Sequence, residues 1–378
     1  MVAVDELKNE SAAAPKPERG VQGNETYLAL VWRRLRRSFT GVVGLVLVVL
    51  LITISVFADF FAPMNPLETN DSFSPPQVVR FSDKDGNISL FPRVYATAET
   101  DELDPVTFQP IVGPDYDNPL YLGFFVKGAE YRLFGLIPAN RHFFGTTDGQ
   151  PVHFLGTDKF GRDVLSRAIY GSRISLAIAL SVVTIVTVIG TSVGLISGYF
   201  GGPLDAWVQR FVEVVLAFPQ LPLYLALTSL IPVTAPTTVF LLFVVGVMSA
   251  LGWAQMSREV RGKTLALARI DYVRAAIAVG ATDRRIIFQH ILPNVMSHVI
   301  VAVTLHIPSV VLLESFLGFL GFAVKPPLIS WGLMLQDTAT YSVIGSYPWI
   351  LAPVGFVLVT VFAFNALGDG LRDAVDPY

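Results

Sequence analysis

The stretch Ile174-Ser-Leu-Ala-Ile-Ala-Leu-Ser-Val-Val-Thr-Ile-Val-Thr-Val-Ile-Gly-Thr-Ser-Val-Gly-Leu-Ile-Ser-Gly-Tyr-Phe-Gly-Gly-Pro-Leu204 carries no charged side chain. A helix that crosses a bilayer needs roughly 20 apolar residues in a row, and this run exceeds that. Other stretches behave the same way. Ser38 to Ala58, Val214 to Ser257 and Thr338 to Gly368 are uncharged, and Ile286 to Leu313 contains histidine but no Lys, Arg, Asp or Glu. The run from Val214 is long enough for two spans and breaks naturally at Pro232–Pro236. Six spans are expected, at about 39–61, 174–198, 211–231, 237–256, 294–320 and 347–366. The chain reads as an all-α membrane protein of about six transmembrane helices.

Composition agrees. Of 378 residues, 52% are hydrophobic and 15% charged, against about 25% charged in an ordinary soluble domain. A net charge of −3 speaks against a nucleic-acid partner. With no cysteine, disulfides, thiol catalysis and thiolate metal sites are excluded. The first apolar run starts near residue 39 behind a polar tail and is longer than a signal-peptide core, so it is read as a retained span.

Residues 1–29 are polar and aperiodic and are expected to be a disordered cytoplasmic tail. Residues 30–62 form a basic amphipathic lead-in and the first span. Arg33, Arg34, Arg36 and Arg37 just before that span place its start in the cytoplasm. Span counting then puts 62–172 outside, 257–293 inside and both termini inside. The 257–293 loop holds Arg258, Arg261, Lys263, Arg269, Arg274, Arg284 and Arg285, which agrees. Arg162, Arg167 and Arg173 pull the other way, on the outer side of span two. Residues 63–152 are too long for a structureless loop. They are expected to form a small external lobe, with strand-like pieces at Asn87–Phe91 and Tyr131–Ile137. An external lead-in, 153–173, precedes a core of five helices at 174–368, and 369–378 is a cytoplasmic C-terminus.

Chemistry-bearing motifs are sparse. Gly262-Lys263-Thr264 echoes the end of a phosphate-binding loop, but the glycine needed five positions earlier is Ser257 and no strand precedes it. The chain is therefore expected to hold no nucleotide and no cofactor of its own. No HExxH, GxSxG or paired-acid arrangement marks a catalytic residue, so the chain is not read as an enzyme. Ion-coupled transporters place ionisable groups inside the membrane. Here Glu314, His298 and His306 in span five are the candidates. The two histidines are two turns apart on one face. They and Glu314 are expected to line a pathway or hold a gate, and no metal site is expected.

The cytoplasmic loop is the most informative region: Asp271-Tyr-Val-Arg-Ala-Ala-Ile-Ala-Val-Gly-Ala-Thr-Asp-Arg-Arg-Ile-Ile-Phe-Gln-His-Ile-Leu-Pro-Asn294. It reads as two short helices with a hinge. Gly280 suits a C-terminal cap at positive φ, and Thr282 or Asp283 suits the N-cap of the next helix. Ile286, Ile287 and Ile291 give that helix an apolar face, and Pro293 fits the start of the following span. The small side chains of Ala275 and Ala276 allow close approach to another surface. The plain alternative is an ordinary loop between spans.

These residues resemble the signature cytoplasmic loop of permease subunits of bacterial ABC importers. That pattern is Glu-Ala-Ala, three residues, Gly, nine residues, then Ile-x-Leu-Pro. Ala275, Ala276, Gly280, Leu292 and Pro293 fall in register, while Arg274 stands for the Glu and His290 for the Ile. Leu155-Gly-Thr-Asp-Lys-Phe-Gly-Arg-Asp-Val-Leu-Ser-Arg167, Gly201-Gly-Pro-Leu-Asp205, Leu216-Ala-Phe-Pro219, Ser330-Trp-Gly-Leu-Met334 and Asn365-Ala-Leu-Gly-Asp-Gly-Leu-Arg372 are similar to segments of the dipeptide/oligopeptide/nickel group and its "C"-type permease.

The resemblance implies a type I importer permease in the bacterial inner membrane. It pairs with a second homologous permease, two ATP-binding subunits and an extracytoplasmic binding protein that delivers peptide. ATP is then used by the partner ATPases. The implied docking residues are Arg274, Ala275, Ala276, Gly280, Asp283, Leu292 and Pro293. A pathway that passes varied peptides is expected to be wide and unselective, and the Pro- and Phe-rich outer segment is a candidate surface for the binding protein. Nickel or another small solute is the alternative cargo, and an ion-coupled secondary transporter is the alternative class.

Overall fold

The computed structural model describes residues 27–375 except 83–87, 104, 106–107, 109, 233 and 323. The tail expected to be disordered lies outside the described residues as far as residue 26.

The chain begins with α1 (Tyr27–Leu35), α2 (Phe39–Val56) and the single turn α3 (Ala58–Phe61). Ser38 starts α2 as its N-cap, its hydroxyl accepting from the Gly41 amide. A four-stranded antiparallel sheet follows in the order β1 (Arg80–Ser82), β2 (Ile88–Leu103), β3 (Pro110–Leu133) and β4 (Ile137–Thr146). The stretch Tyr131–Ile137 is therefore not one strand. It contains the end of β3, a turn and the first residue of β4.

The helical body comprises α4 (Val164–Phe200), α5 (Gly202–Ala217), α6 (Gln220–Thr228), α7 (Thr237–Leu267), α8 (Asp271–Ala278), α9 (Asp283–Arg285), α10 (Leu292–Phe319), α11 (Trp331–Leu335), α12 (Tyr341–Ser346) and α13 (Ala352–Val375). A π-helical stretch, Ile286–Ile291, joins α9 to α10. Among the described residues five helical stretches are long and apolar enough to cross a membrane: α2, α4, α7, Asp283–Phe319 and Pro348–Val375. A sixth crossing requires α5 and α6 together, and these meet at 79°. The straight span expected at 211–231 is thus a bent pair. Pro219 is the cause: it forces Phe218 into extended backbone (φ −75°, ψ 134°), which ends α5.

α4 starts at Val164, ten residues before the expected span. Arg162 just before it, and Arg167 and Arg173 within it, are paired with carboxylates. Arg162 and Arg167 reach Asp158 at 2.7 and 3.3 Å, and Arg173 reaches Asp59 at 2.5 Å. Asp163 caps the helix by accepting from the Ser166 amide.

The core is built on α4, α7 and α10. In lipid the drive for helix association is close packing rather than the hydrophobic effect, which favours small residues at the contact. Gly190, Gly194 and Gly198 line one face of α4 against α7. A Cβ there would lie 2.6 Å from Met256 Cβ, 2.6 Å from the Ser257 carbonyl and 2.8 Å from Thr264 Cβ, respectively. A second cluster packs α2 and α13 against α4 and α10 around the fully buried Trp331.

Candidate functional site

The loop between α7 and α10 is built from its backbone outward. α8 ends with Val279 at the C-cap and Gly280 at φ +85°. The Gly280 amide donates to the Ile277 carbonyl (2.9 Å) and the Ala281 amide to that of Ala276 (3.0 Å). This paired closure needs a left-handed residue at the position of Gly280, where glycine meets no steric penalty. Thr282 is the N-cap of α9 but makes no side-chain cap bond. Asp283 is engaged elsewhere: its carboxylate accepts from the Tyr199 hydroxyl at 2.6 Å, tying the loop to the end of α4.

The inner side of the loop is keyed into the helical core. Val273, Ile286 and Ile291 are fully buried and share one cluster with Val260 of α7 and Val295 of α10. Asn294 donates to the Tyr272 hydroxyl (3.2 Å) and to the His290 carbonyl (2.7 Å). Nearby, Arg261 of α7 forks onto Asp205 of α5 at 2.5–2.6 Å, and Asp205 also takes the Ser197 hydroxyl. From α9 through the π-helical stretch into α10 the helix is unbroken. π-Helical insertions of this kind recur at functional sites.

The outer side faces away from this body. Arg274, Ala275, Gly280, Asp283 and Pro293 are exposed, and Ala276 and Leu292 are half-buried. Around them Val279 is 86% exposed and Phe288 59%. An apolar knob bordered by Arg284 and Arg285 and fixed from behind can receive a push and pass it to three spans. Sequence reasoning missed Tyr199, Tyr272 and Asn294, which fix the knob. None of the three stands in a spacing that marks it, and only the fold brings them to the knob.

The expected pathway residues do not form a unit. His298 lies 3.8 Å from Glu259 of α7, and His306 is half-buried two turns further along α10. Glu314 does not line an open surface of this chain. It is fully buried, with one carboxyl oxygen 2.9 Å from the Ser175 hydroxyl. Ser175 in turn accepts from the Trp331 amide at 3.1 Å, so Glu314 belongs to the joint between α4, α10 and α11. Among the described residues no group of three metal-ligating side chains converges.

Residues 190–378 match the family described as binding-protein-dependent transport system inner membrane component. Residues 26–76 match the N-terminal TM domain of oligopeptide transport permease C. Neither match includes the sheet. The chain is 42% identical over 260 residues to the oligopeptide transport system permease protein OppC of Haemophilus influenzae, covering 68% of this chain and 78% of that protein. It is 38% identical to the dipeptide transport system permease protein DppC of Alkalihalophilus pseudofirmus (60% of this chain, 72% of that one). It is 37% identical to the glutathione transport system permease protein GsiD of Pectobacterium atrosepticum (60% and 73%).

Proposed function

The chain belongs to the binding-protein-dependent transport system inner membrane component family, and from that premise we propose that it forms one half of the pathway of an ATP-driven peptide importer. The relatives named above are described as oligopeptide, dipeptide and glutathione permeases. Glutathione is itself a tripeptide, so a short-peptide cargo is the reading common to all three. The second half of the pathway is a homologous permease, two separate subunits hydrolyse ATP, and an external binding protein delivers the peptide. This chain contributes no nucleotide site and no cofactor.

The observation that carries this reading is the knob at Gly280, exposed on one side and keyed to α4, α7 and α10 on the other. A groove on an ATPase that holds Ala275, Ala276, Gly280 and the exposed Val279 moves the spans whenever it closes. In this reading the knob and both termini are cytoplasmic and the sheet is outside. The basic residues before α2 and in 257–293 support that orientation, and the arginines that opposed it are paired with Asp158 and Asp59.

The test is the reconstituted transporter. Substrate-loaded binding protein is expected to stimulate ATP hydrolysis, and Gly280→Val is expected to abolish that stimulation while the chain remains folded. Stimulation at the wild-type level in Gly280→Val would overturn the docking role.

A further inference from the structure

The β3–β4 hairpin closes on Leu133-Phe134-Gly135-Leu136, the Leu136 amide donating to the Leu133 carbonyl at 3.1 Å. Phe134 and Gly135 have φ of +54° and +72°. Two successive positive φ values are left-handed backbone, and the first of two such turn positions ordinarily carries Asn, Asp or Gly. Here it carries Phe, for which left-handed backbone costs about 1–2 kcal/mol. The tip has no polar side chain: Phe134 is 56% exposed, Leu136 81% and Ile137 58%. Projected into water, such a tip would combine backbone strain with unfavourable hydration and gain nothing.

The tip lies beside the spans. The Phe134 ring packs edge-on against Phe57 at the end of α2, with centroids 5.6 Å apart. Between the tip, the end of α2 and the 173–180 stretch of α4 is a crevice of about 530 Å³, with Ile52, Val56, Leu180 and Phe134 on its walls and Arg132 and Arg173 in its lining. Arg173 donates to the Ser55 and Val56 carbonyls and so marks where the first span ends. Leu180 is seven residues further along α4, roughly 10 Å deeper at 1.5 Å per residue. The crevice is continuous with the exposed apolar face of the spans at Val49, Ile52 and Leu180. Arg173 is paired with Asp59, whereas Arg132 has no ion-pair partner among the described residues. A cation at the mouth of an apolar crevice beside spanning helices matches a phosphate with an acyl chain below it.

We propose that the β3–β4 hairpin tip is immersed in the leaflet on the sheet's side and, with the end of α2 and the 173–180 stretch of α4, holds one phospholipid. Its acyl chain runs along Ile52, Val56 and Leu180, and its phosphate meets Arg132. The bilayer itself thereby fixes one edge of the lobe that lies outside both family matches.

This chain has no cysteine, so a cysteine placed on it is its single labelling point once the partner subunits are made cysteine-free. Leu136→Cys in the full transporter is labelled with an environment-sensitive fluorophore and placed in nanodiscs of phospholipids with or without acyl-chain bromine. A blue-shifted emission relative to the same label at Asn118→Cys, quenched by the brominated lipid, is expected. A water-like, unquenched label overturns the proposal. So does a blue-shifted but unquenched one, which would mean that a partner subunit covers the tip. In a second arm, native mass spectrometry of Arg132→Ala is expected to show one retained phospholipid fewer than wild type. An unchanged lipid count overturns the headgroup site.

Discussion

Arg173 and Asp59 meet at 2.5 Å where α2 ends, and the same guanidinium donates to the carbonyls of Ser55 and Val56 at 2.8 and 2.9 Å. The last carbonyls of a helix have no partner within it and carry partial negative charge. A cation held there by a carboxylate closes the span and its connection to α4 together. Tyr170 completes the group with a 2.6 Å hydrogen bond to Asp59.

Asp59→Asn should lower the thermal unfolding midpoint, the loss corresponding to about 2 kcal/mol. Partial burial raises the proton affinity of Asp59, but the hydrogen bonds from Arg173 and Tyr170 and the Arg173 charge outweigh it and hold the carboxyl below its ordinary value. A depressed folded value means that the stabilisation is complete above the unfolded value of about 3.9 and is lost as pH falls through the folded one. The difference in midpoint between wild type and Asp59→Asn should therefore be constant near neutrality and shrink only in acid. Shrinkage beginning near neutral pH would refute the assignment.

The α4–α7 contact predicts a sharp contrast between two glycines. Gly194→Leu drives a side chain into the Ser257 carbonyl and should cost about 3 kcal/mol or more. Gly262, also helical, has open space where a Cβ would go. Gly262→Ala should be neutral or stabilising by up to about 1 kcal/mol. Folded yield by size-exclusion profile separates the two, and equal yields would remove the close-packing argument.

Tyr199 joins the knob to α4 through its hydroxyl, which donates to the Asp283 carboxylate at 2.6 Å. Tyr199→Phe should leave subunit assembly intact and weaken stimulated ATP hydrolysis by up to about tenfold, as expected for one hydrogen bond to a charged group worth about 1.5 kcal/mol. Asp283→Asn should fall in the same direction. Unchanged stimulation in both variants would show that force does not pass through this contact.

His142 anchors the sheet to the body. It is 3% exposed, with one ring nitrogen 2.6 Å from the Ala62 carbonyl and the other 3.0 Å from that of Ala129. His142→Ala should make 80–146 more sensitive to protease without altering the helical core. If cleavage rates match wild type, the lobe is held by other contacts.

Deleting 90–150 probes the other role considered for the lobe, contact with the binding protein. Weaker binding-protein association and slower uptake are expected, and normal values for both would exclude it.

Much of the helical body was legible because an uncharged run of sufficient length has few other fates. What hydropathy could not supply was direction and pairing. It placed a span at 211–231 without seeing that Pro219 turns α5 away from α6. It also started the second span late, since Arg167 and Arg173 count as charges in a window but as paired groups in the fold. The glycines at 190, 194 and 198 were visible in sequence, yet their partners on α7 were not. In the sheet, the turn at Phe134 was hidden because it lacks the polar residues by which such turns are recognised. The knob was the most readable element. Gly280 announced its helix end, whereas the side chains that brace it, Tyr199, Tyr272 and Asn294, come from outside the motif or lack a distinctive spacing.

The glycine face of α4 has a kinematic consequence. Two helices whose backbones touch along three successive turns cannot slide or part without opening voids, so α4 and α7 behave as a single plank. Any alternation between inward and outward access must then hinge elsewhere in the chain. The 79° elbow between α5 and α6 is a joint already cut to shape, since no backbone hydrogen-bond ladder runs through Pro219 to resist its flexing.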